Sequence, residues 1–432
     1  MSHIGILSAP FYSHLQCLST VGRELRDRGH RVTVFNIEDV GERVLAGGLE
    51  FKAVGQSSLP VGTLAKLEAG MVDSKARIGI RSLIDIMRNA NAAIFHEGQA
   101  ALAEAGVDGL LVDQDCPVGA TLADAIELPY VTMCAAAPAH RESAIPPASS
   151  PWSYSTSPWA RLRNELAFAI FELVSLPLSG DLNRWRRHSK LPAYRIFEDS
   201  FSKLAQITQL PAAYDFPRTA LPPHFHYVGP FLAKPTRPIS FPWERLDGRP
   251  LIYASMGTLQ NRNAAIFKTI AAACDGLNAQ LVLSLGGGGS VEDYRDLPGD
   301  PIVVAFAPQL ELLARARMAI SHAGLNTVLE CFSYGVPSVV IPITHDHPGL
   351  AARLAWQGAG LVVPLAKLSV PRLREAILQV LHEDTYQQQT ARMQAAVRET
   401  GGVKQAADIV EAAIATRRPV LRDGLAVARS GQ

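Results

Sequence analysis

Apolar residues fall into short runs separated by stretches of helical spacing, and the same alternation occurs twice along the chain. HIGILSA is a short apolar run. Leu15, Leu18, Val21 and Leu25 then recur with helical spacing, Gly29 ends that helix, and HRVTVF begins the next run. The pattern predicts strand, loop, helix, strand, a parallel βαβ opening with a right-handed crossover. Ser82 to Ala105 has the pattern of a long amphipathic helix, and GLLV before Asp113 that of a buried strand. A second series starts at LIYASMGTLQ, continues through AQLVLSLGGGGS and MAISH, and reaches a helix and last strand in PGLAARLAWQGAGLVVPL. Two further helical stretches run from Val370 to Ala415. Between the two series, Pro230, Pro235, Pro238, Pro242 and Pro250 interrupt regular structure, as a stiff connector between two lobes requires.

A chain of 432 residues has the length of two ordinary domains, and 48% hydrophobic with 19% charged residues provides a core for each. The formal net charge of +1 supplies no general attraction for nucleic acid. Cys17, Cys116, Cys134, Cys274 and Cys331 are scattered without a CxxC pair or Cys/His cluster. That argues against zinc and against a disulfide framework, and fits a reducing cytoplasm. The N-terminus lacks an export signal, and no uninterrupted apolar run reaches the roughly 18 residues of a membrane span. Leu166 to Leu178 is an apolar patch followed by a basic cluster at Arg184, Arg186, Arg187 and Lys190. Its simplest reading is a buried helix followed by a solvated basic face; the alternative is peripheral contact with the inner face of a membrane.

The densest chemistry lies in FAPQLELLARARMAISHAGLNTVLECFSYGVPSVVIPITHDH, from Phe306 to His347. Met318 to His322 reads as a strand, the next residues as a strand-to-helix turn with Asn326 or Thr327 as cap, and Gly335 with Pro337 as the helix stop. The first N–H groups of such a helix lack intrahelical partners, and its dipole adds roughly half a positive charge, so a phosphate or pyrophosphate is the natural guest. Gly324 lets the backbone approach that guest, and His322 is placed to donate to it. Glu330, one turn beyond Asn326, suits ribose hydroxyls; Phe306 suits stacking on a base and Gln309 its polar edge. Ser255, Gly257 and Thr258, after LIYA, offer more donors to a diphosphate, while Gly286 to Gly289 reads as a flexible surface loop. The first turn of the chain is Ala9-Pro10-Phe11-Tyr12-Ser13-His14, without the GxGxxG of a nicotinamide-binding protein.

Phe306-Ala307-Pro-Gln309, His322-Ala-Gly324-Leu325-Asn326-Thr327, Glu330, Gly335-Val-Pro and Asp346-His347 together resemble the nucleotide-sugar motif of the family 1 glycosyltransferases. The resemblance implies the GT-B fold, an α/β architecture of two Rossmann-like parallel-sheet domains facing a cleft, with a UDP-sugar as donor. It implies an acceptor-binding domain over residues 1–228, a linker over 229–250 and a donor-binding domain over 251–402. A helix over 403–416 would return to the first domain, followed by a loose tail over 417–432. By the resemblance Phe306, Ala307 and Gln309 hold the uracil and Glu330 the ribose. His322, Gly324, Leu325, Asn326 and Thr327 hold the diphosphate, opposed by Ser255, Gly257 and Thr258, and Asp346 with His347 takes the sugar. The family usually ends this motif with Asp-Gln, so His347 leaves UDP-glucose as the default donor and UDP-galactose open.

The same resemblance identifies His14, after the first strand, as the base that takes a proton from an acceptor hydroxyl. A free imidazole titrates at about pH 6.5, close to neutrality. Asp113 is the expected orienting partner, with Asp115 as the alternative. Displacement with inversion follows from the resemblance, with no metal ion and no tightly bound cofactor. Phe11 and the aromatics of the Pro- and Ser-rich loop, Trp152, Tyr154 and Trp159, are candidates for the acceptor pocket. PFYSH, YASMGTLQN and HDHPGLAARL are most similar to bacterial members that glucosylate zeaxanthin, which implies a hydrophobic, hydroxylated acceptor of carotenoid type; macrolide and phenolic acceptors share the donor motif. An inactive nucleotide-sugar-binding relative is opposed by His14, Asp113 and Glu330 occurring together.

Overall fold

Among the described residues seven short segments form one sheet: β1 (His3–Leu7), β2 (Arg31–Asn36), β3 (Glu50–Ala53), β4 (Gly109–Asp113), β5 (Tyr130–Cys134), β6 (Gln206–Thr208) and β7 (Phe225–Tyr227). They pair in parallel in the order β3-β2-β1-β4-β5-β6-β7. Every residue of β1 and β4 is buried, as befits strands covered on both faces. A second parallel sheet uses β8 (Leu251–Ser255), β9 (Gln280–Ser284), β10 (Ile302–Val304), β11 (Ala316–Ser321), β12 (Ser338–Val340) and β13 (Gly360–Val362). Its order is β10-β9-β8-β11-β12-β13. The computed structural model describes residues 1–66, 79–232, 239–258, 261 and 263–422. Pro235 and Pro238 of the expected connector, and residues 423–432 of the expected tail, lie outside the described residues.

In each sheet the strand order reverses beside the strand that comes first in the chain, between β1 and β4 and between β8 and β11. Open parallel sheets bind ligands outside the carboxyl ends of their strands at such a reversal. The turns after these four strands are therefore where chemistry belongs.

The helix Tyr12–Asp27 buries Leu15, Leu18, Val21 and Leu25, the positions its spacing singled out. The last helix, Gly402–Thr416, packs on it, and Arg28 pairs there with Asp408 at 2.6 Å and Glu411 at 2.9 Å. Where the chain returns to the first lobe, Gly402 N donates to Val228 O at 2.7 Å. Beside it Gly229 has φ +86°, and any Cβ there would overlap Thr400 Oγ1, so glycine alone fits. The tail differs from expectation over its first residues. Val420 N donates to Leu204 O at 2.8 Å and Arg422 N to Pro223 O at 3.0 Å, and main-chain pairing of this kind needs no side-chain periodicity to announce it.

The apolar patch from Leu166 to Leu178 also departs from its simplest reading. It belongs to one long helix, Pro158–His188, whose N-cap Ser157 accepts from Ala160 N, and most of its large apolar side chains face outward. Phe168 is the exception within the patch, and Arg186 of the basic cluster is buried against Asp124 at 2.7 Å.

Candidate active site

His14 sits in the first turn of the helix that follows β1, and Asp113 is the last residue of β4, so the first reversal brings them together. His14 Nδ1 donates to Asp113 Oδ2 at 2.7 Å, and the Asp113 side chain is fully buried. The carboxylate is itself held: Ala9 N donates to Oδ2 at 3.2 Å and Asp115 N to Oδ1 at 3.1 Å. Asp115 Oδ2 lies 3.8 Å from His14 Nδ1, so the alternative partner stands behind the chosen one. Burial opposes protonation of His14, but the charge and hydrogen bond of Asp113, with the charges of Asp115 and Asp346, outweigh it and raise the group from 6.5 to about 9. The Asp115 carboxyl is pushed up by burial and by Asp113.

Asp346 comes from the second lobe, so the two reversals face one cleft. Its Oδ2 accepts from Ala137 N of the first lobe at 3.3 Å. At the second reversal the imidazole of His322 is sandwiched between glycines of two turns. A Cβ on Gly257 would meet His322 Cε1 at 2.6 Å, and one on Gly324 would meet the same atom at 2.7 Å. Burial and the neighbouring His347, whose ring centroid is 4.6 Å away, hold His322 down at about 3, so it is neutral and keeps one N–H to give. The helix Leu325–Tyr334 starts here with Gly324 as its N-cap. Asn326 and Thr327, expected to cap, lie inside the first turn. Asn326 Oδ1 accepts instead from Gln209 Nε2 of the first lobe at 2.8 Å. Leu325 and Thr327 are buried, and Leu325 joins an apolar cluster shared by both lobes. Gly335, in the left-handed conformation at φ +67°, ends the helix as expected.

The remaining residues expected on the donor side all belong to the second lobe. Phe306 is 54% exposed, with the tip of its ring against Gly287, and Ala307 is buried beside it in the chain. Gln309 is differently placed from the sequence reading, because both ends of its amide meet protein. Tyr253 Oη donates to Oε1 at 2.7 Å, and Nε2 donates to Glu330 Oε2. Burial raises the Glu330 carboxyl to about 7 against that hydrogen bond. Ser255 Oγ accepts from Gly257 N at 3.3 Å, and Thr258 is exposed at the mouth of the turn. The glycine run is packed rather than free: Asn261 Nδ2 donates to Gly286 O at 2.7 Å, and a Cβ on Gly286 or Gly288 would overlap the main chain of Gly257 or Asn261. His347 is buried, held down at about 3 chiefly by that burial, with its Nδ1 accepting a long 3.4 Å bond from Thr344 N.

Taken as chemistry, a buried carboxylate orienting an imidazole faces a helix N-terminus lined with neutral donors. That can take a proton from a nucleophile on one side and stabilise a departing diphosphate on the other. A model of the family described as UDP-glucoronosyl and UDP-glucosyl transferase matches residues 64–399. The chain belongs to this family. Two relatives of this glycosyltransferase are zeaxanthin glucosyltransferases. That of Pantoea ananas is 34% identical over 98% of this chain and 98% of its own. That of Pseudescherichia vulneris is 32% identical over 96% and 98%. Among solved structures, the glycotransferase of kitacinnamycin matches with TM-score 0.75 at 22% identity, covering 95% of this chain and 98% of its own. The glycosyltransferase accordingly has the GT-B fold.

The acceptor candidates separate. Phe11 precedes the helix of His14 and meets its ring edge-on at 6.3 Å between centroids. Trp152 is covered by the guanidinium of Arg163 at 4.2 Å, and Trp159 lies out on the long helix, 71% exposed. Tyr154 packs against Phe216 and Trp356 in a small cluster between the lobes, which is a packing position. Gln209, Tyr253 and Asn261 were not anticipated. Each is a polar side chain whose partner is distant in sequence, and no local pattern marks such pairs.

Proposed function

We propose that the enzyme transfers a hexose, with glucose as the default, from a UDP-sugar to a hydroxyl of a hydrophobic acceptor of carotenoid type such as zeaxanthin. The observation that carries this is the His14–Asp113 pair at 2.7 Å, facing Asp346 and the glycine-flanked His322 of the other lobe. His14 takes the hydroxyl proton and Asp113 stabilises the imidazolium. The oxygen attacks the anomeric carbon as the C–O bond to UDP breaks, with inversion. The N–H groups that open the helix at Leu325, together with His322, receive the charge of the leaving diphosphate. The names of the relatives in Pantoea and Pseudescherichia support the acceptor class.

A mass-spectrometric assay with UDP-glucose or UDP-galactose and zeaxanthin in detergent tests the proposal. One or two hexoses are expected on the carotenoid, from UDP-glucose in preference. UDP release without a carotenoid product would overturn the acceptor and point to phenolic or macrolide alcohols. His14, Asp113 and Asp115 bring ligand atoms within 4.8 Å of one another, a set that can hold a metal ion. Because the mechanism assigns those atoms to proton transfer, excess chelator is expected to leave turnover unchanged; loss restored by magnesium or manganese would move the cluster to metal chemistry. Gly324→Ala is expected to weaken UDP binding by roughly 10- to 100-fold in calorimetry, since its Cβ displaces His322 from the diphosphate site. Unaltered affinity would remove the helix start from the donor site.

A further inference from the structure

The helix Pro158–His188 leaves an apolar stripe in water. Leu162, Leu166, Ile170, Leu173 and Leu176 follow at intervals of four, four, three and three residues, so they share one side over about 21 Å. Each is between 51% and 66% exposed, and Trp159, 71% exposed, heads the stripe. A helix that only covered its own sheet would turn such residues inward; here Ala160, Asn164 and Phe168 take the inward positions. Beyond the stripe the side chains of Arg184, Arg187 and Lys190 are exposed. On the apolar half, Glu165 is the exposed acid, while Glu172 is paired with Arg141 at 3.3 Å.

The helix is tied to the cleft. Asn164 Nδ2 donates to Ser143 O at 2.8 Å, and Arg141 holds Glu172. Ala137, at the start of the same loop, gives its N–H to Asp346 in the site.

We propose that this face docks the enzyme on an anionic lipid bilayer, with the stripe in the interface and Arg184, Arg187 and Lys190 among the headgroups. The inference rests on the reading of the acceptor as hydrophobic, because an acceptor dissolved in lipid enters the cleft from a membrane. Among the described residues no helix is long and apolar enough to cross a membrane, so the helix lies on the surface. A second copy of the chain fits less well. Antiparallel pairing centred on the stripe would carry Arg184 to Lys190 past the start of the other helix at Pro158, where residues 148–154 offer no acid, and parallel pairing would set each cluster against itself.

The test is co-sedimentation of the full chain with phosphatidylcholine vesicles, with and without phosphatidylglycerol, alongside UDP release with a water-soluble acceptor. The wild type is expected to partition onto the anionic vesicles. Ile170→Ser with Leu173→Ser should weaken that partition by about tenfold or more, from the apolar surface lost. Arg184→Glu with Arg187→Glu should weaken it comparably on anionic vesicles alone, and more weakly at high salt. Neither pair should alter UDP release. Equal binding by wild type and both variants, or no binding by the wild type, would overturn the proposal. So would a dimer in solution that the serine variants convert to monomers. Vesicle binding lost in the variants, from a chain that transfers no sugar, would keep the surface and overturn the catalytic reading instead.

Discussion

His14→Ala is expected to lower kcat by about 100- to 10 000-fold while UDP continues to bind, the range for loss of a positioned general base. The residues proposed for uracil, ribose and diphosphate all lie on the second lobe, so affinity for UDP should change little. Loss of affinity in parallel with turnover would make His14 a binding group instead. The pH dependence carries the same signature. A base acts only when deprotonated, and His14 is raised to about 9, so at neutral pH the free enzyme carries mostly imidazolium. kcat/KM should therefore rise with pH and level off only above about 9. Asp113→Asn removes the main charge that raises His14, so the limb should move to lower pH as the plateau rate falls. The raised value also links to stability. Protonated His14 stabilises the fold fully below pH 6.5, and that contribution is lost as pH climbs through about 9.

Asp215→Ala is expected to destabilise the protein by about 3–5 kcal/mol, measured by urea denaturation. Asp215 lies between the lobes, with Arg353 Nε on Oδ1 at 2.8 Å and Arg218 Nε on Oδ2 at 2.7 Å, all with side chains no more than 2% exposed. Tyr227 Oη adds a bond to Oδ2 at 2.8 Å, and the Arg353 guanidinium lies 4.4 Å from the Phe216 ring centroid. Burial opposes the charge of Asp215, and Arg218 with Arg353 overcomes it, holding the carboxyl far below its ordinary range. Removing the acid leaves the Arg353 guanidinium buried without a carboxylate, whereas Arg218 keeps Glu142 at 3.8 Å. The cost should fall when Arg353→Met is added, because the second change removes the stranded charge. Arg353 is on the helix His347–Trp356, which starts directly after Asp346, so the pair also fixes how the lobes present the site. A double variant no better than the single would mean that the two groups do not share this energy.

The elements that carry chemistry were legible because their signals are local. His322 to Thr327 is a strand end running into a helix, and Asp113 ends an apolar run; both features need only neighbours in sequence. The parallel βαβ opening was legible through the alternation of apolar runs and helical spacing, which leaves few ways to wind a parallel sheet. What stayed hidden depends on partners far along the chain. Gln309 looked free to read a base until Tyr253 and Glu330 were seen to hold it. Gly286 to Gly289 looked mobile because nothing nearby says that Gly257 and Asn261 press against it. The patch from Leu166 to Leu178 looked like core because helical spacing identifies an apolar face without saying what covers it.

The central claim is a single displacement between His14 of one lobe and the diphosphate site of the other. The anomeric configuration of the product, read from proton coupling in nuclear magnetic resonance, tests it most directly. From the α-linked donor the account predicts a β-glycoside, with the large coupling of trans-diaxial protons at the anomeric carbon. An α-glycoside would contradict direct attack from the His14 side and require a second step that the arrangement of these residues does not provide.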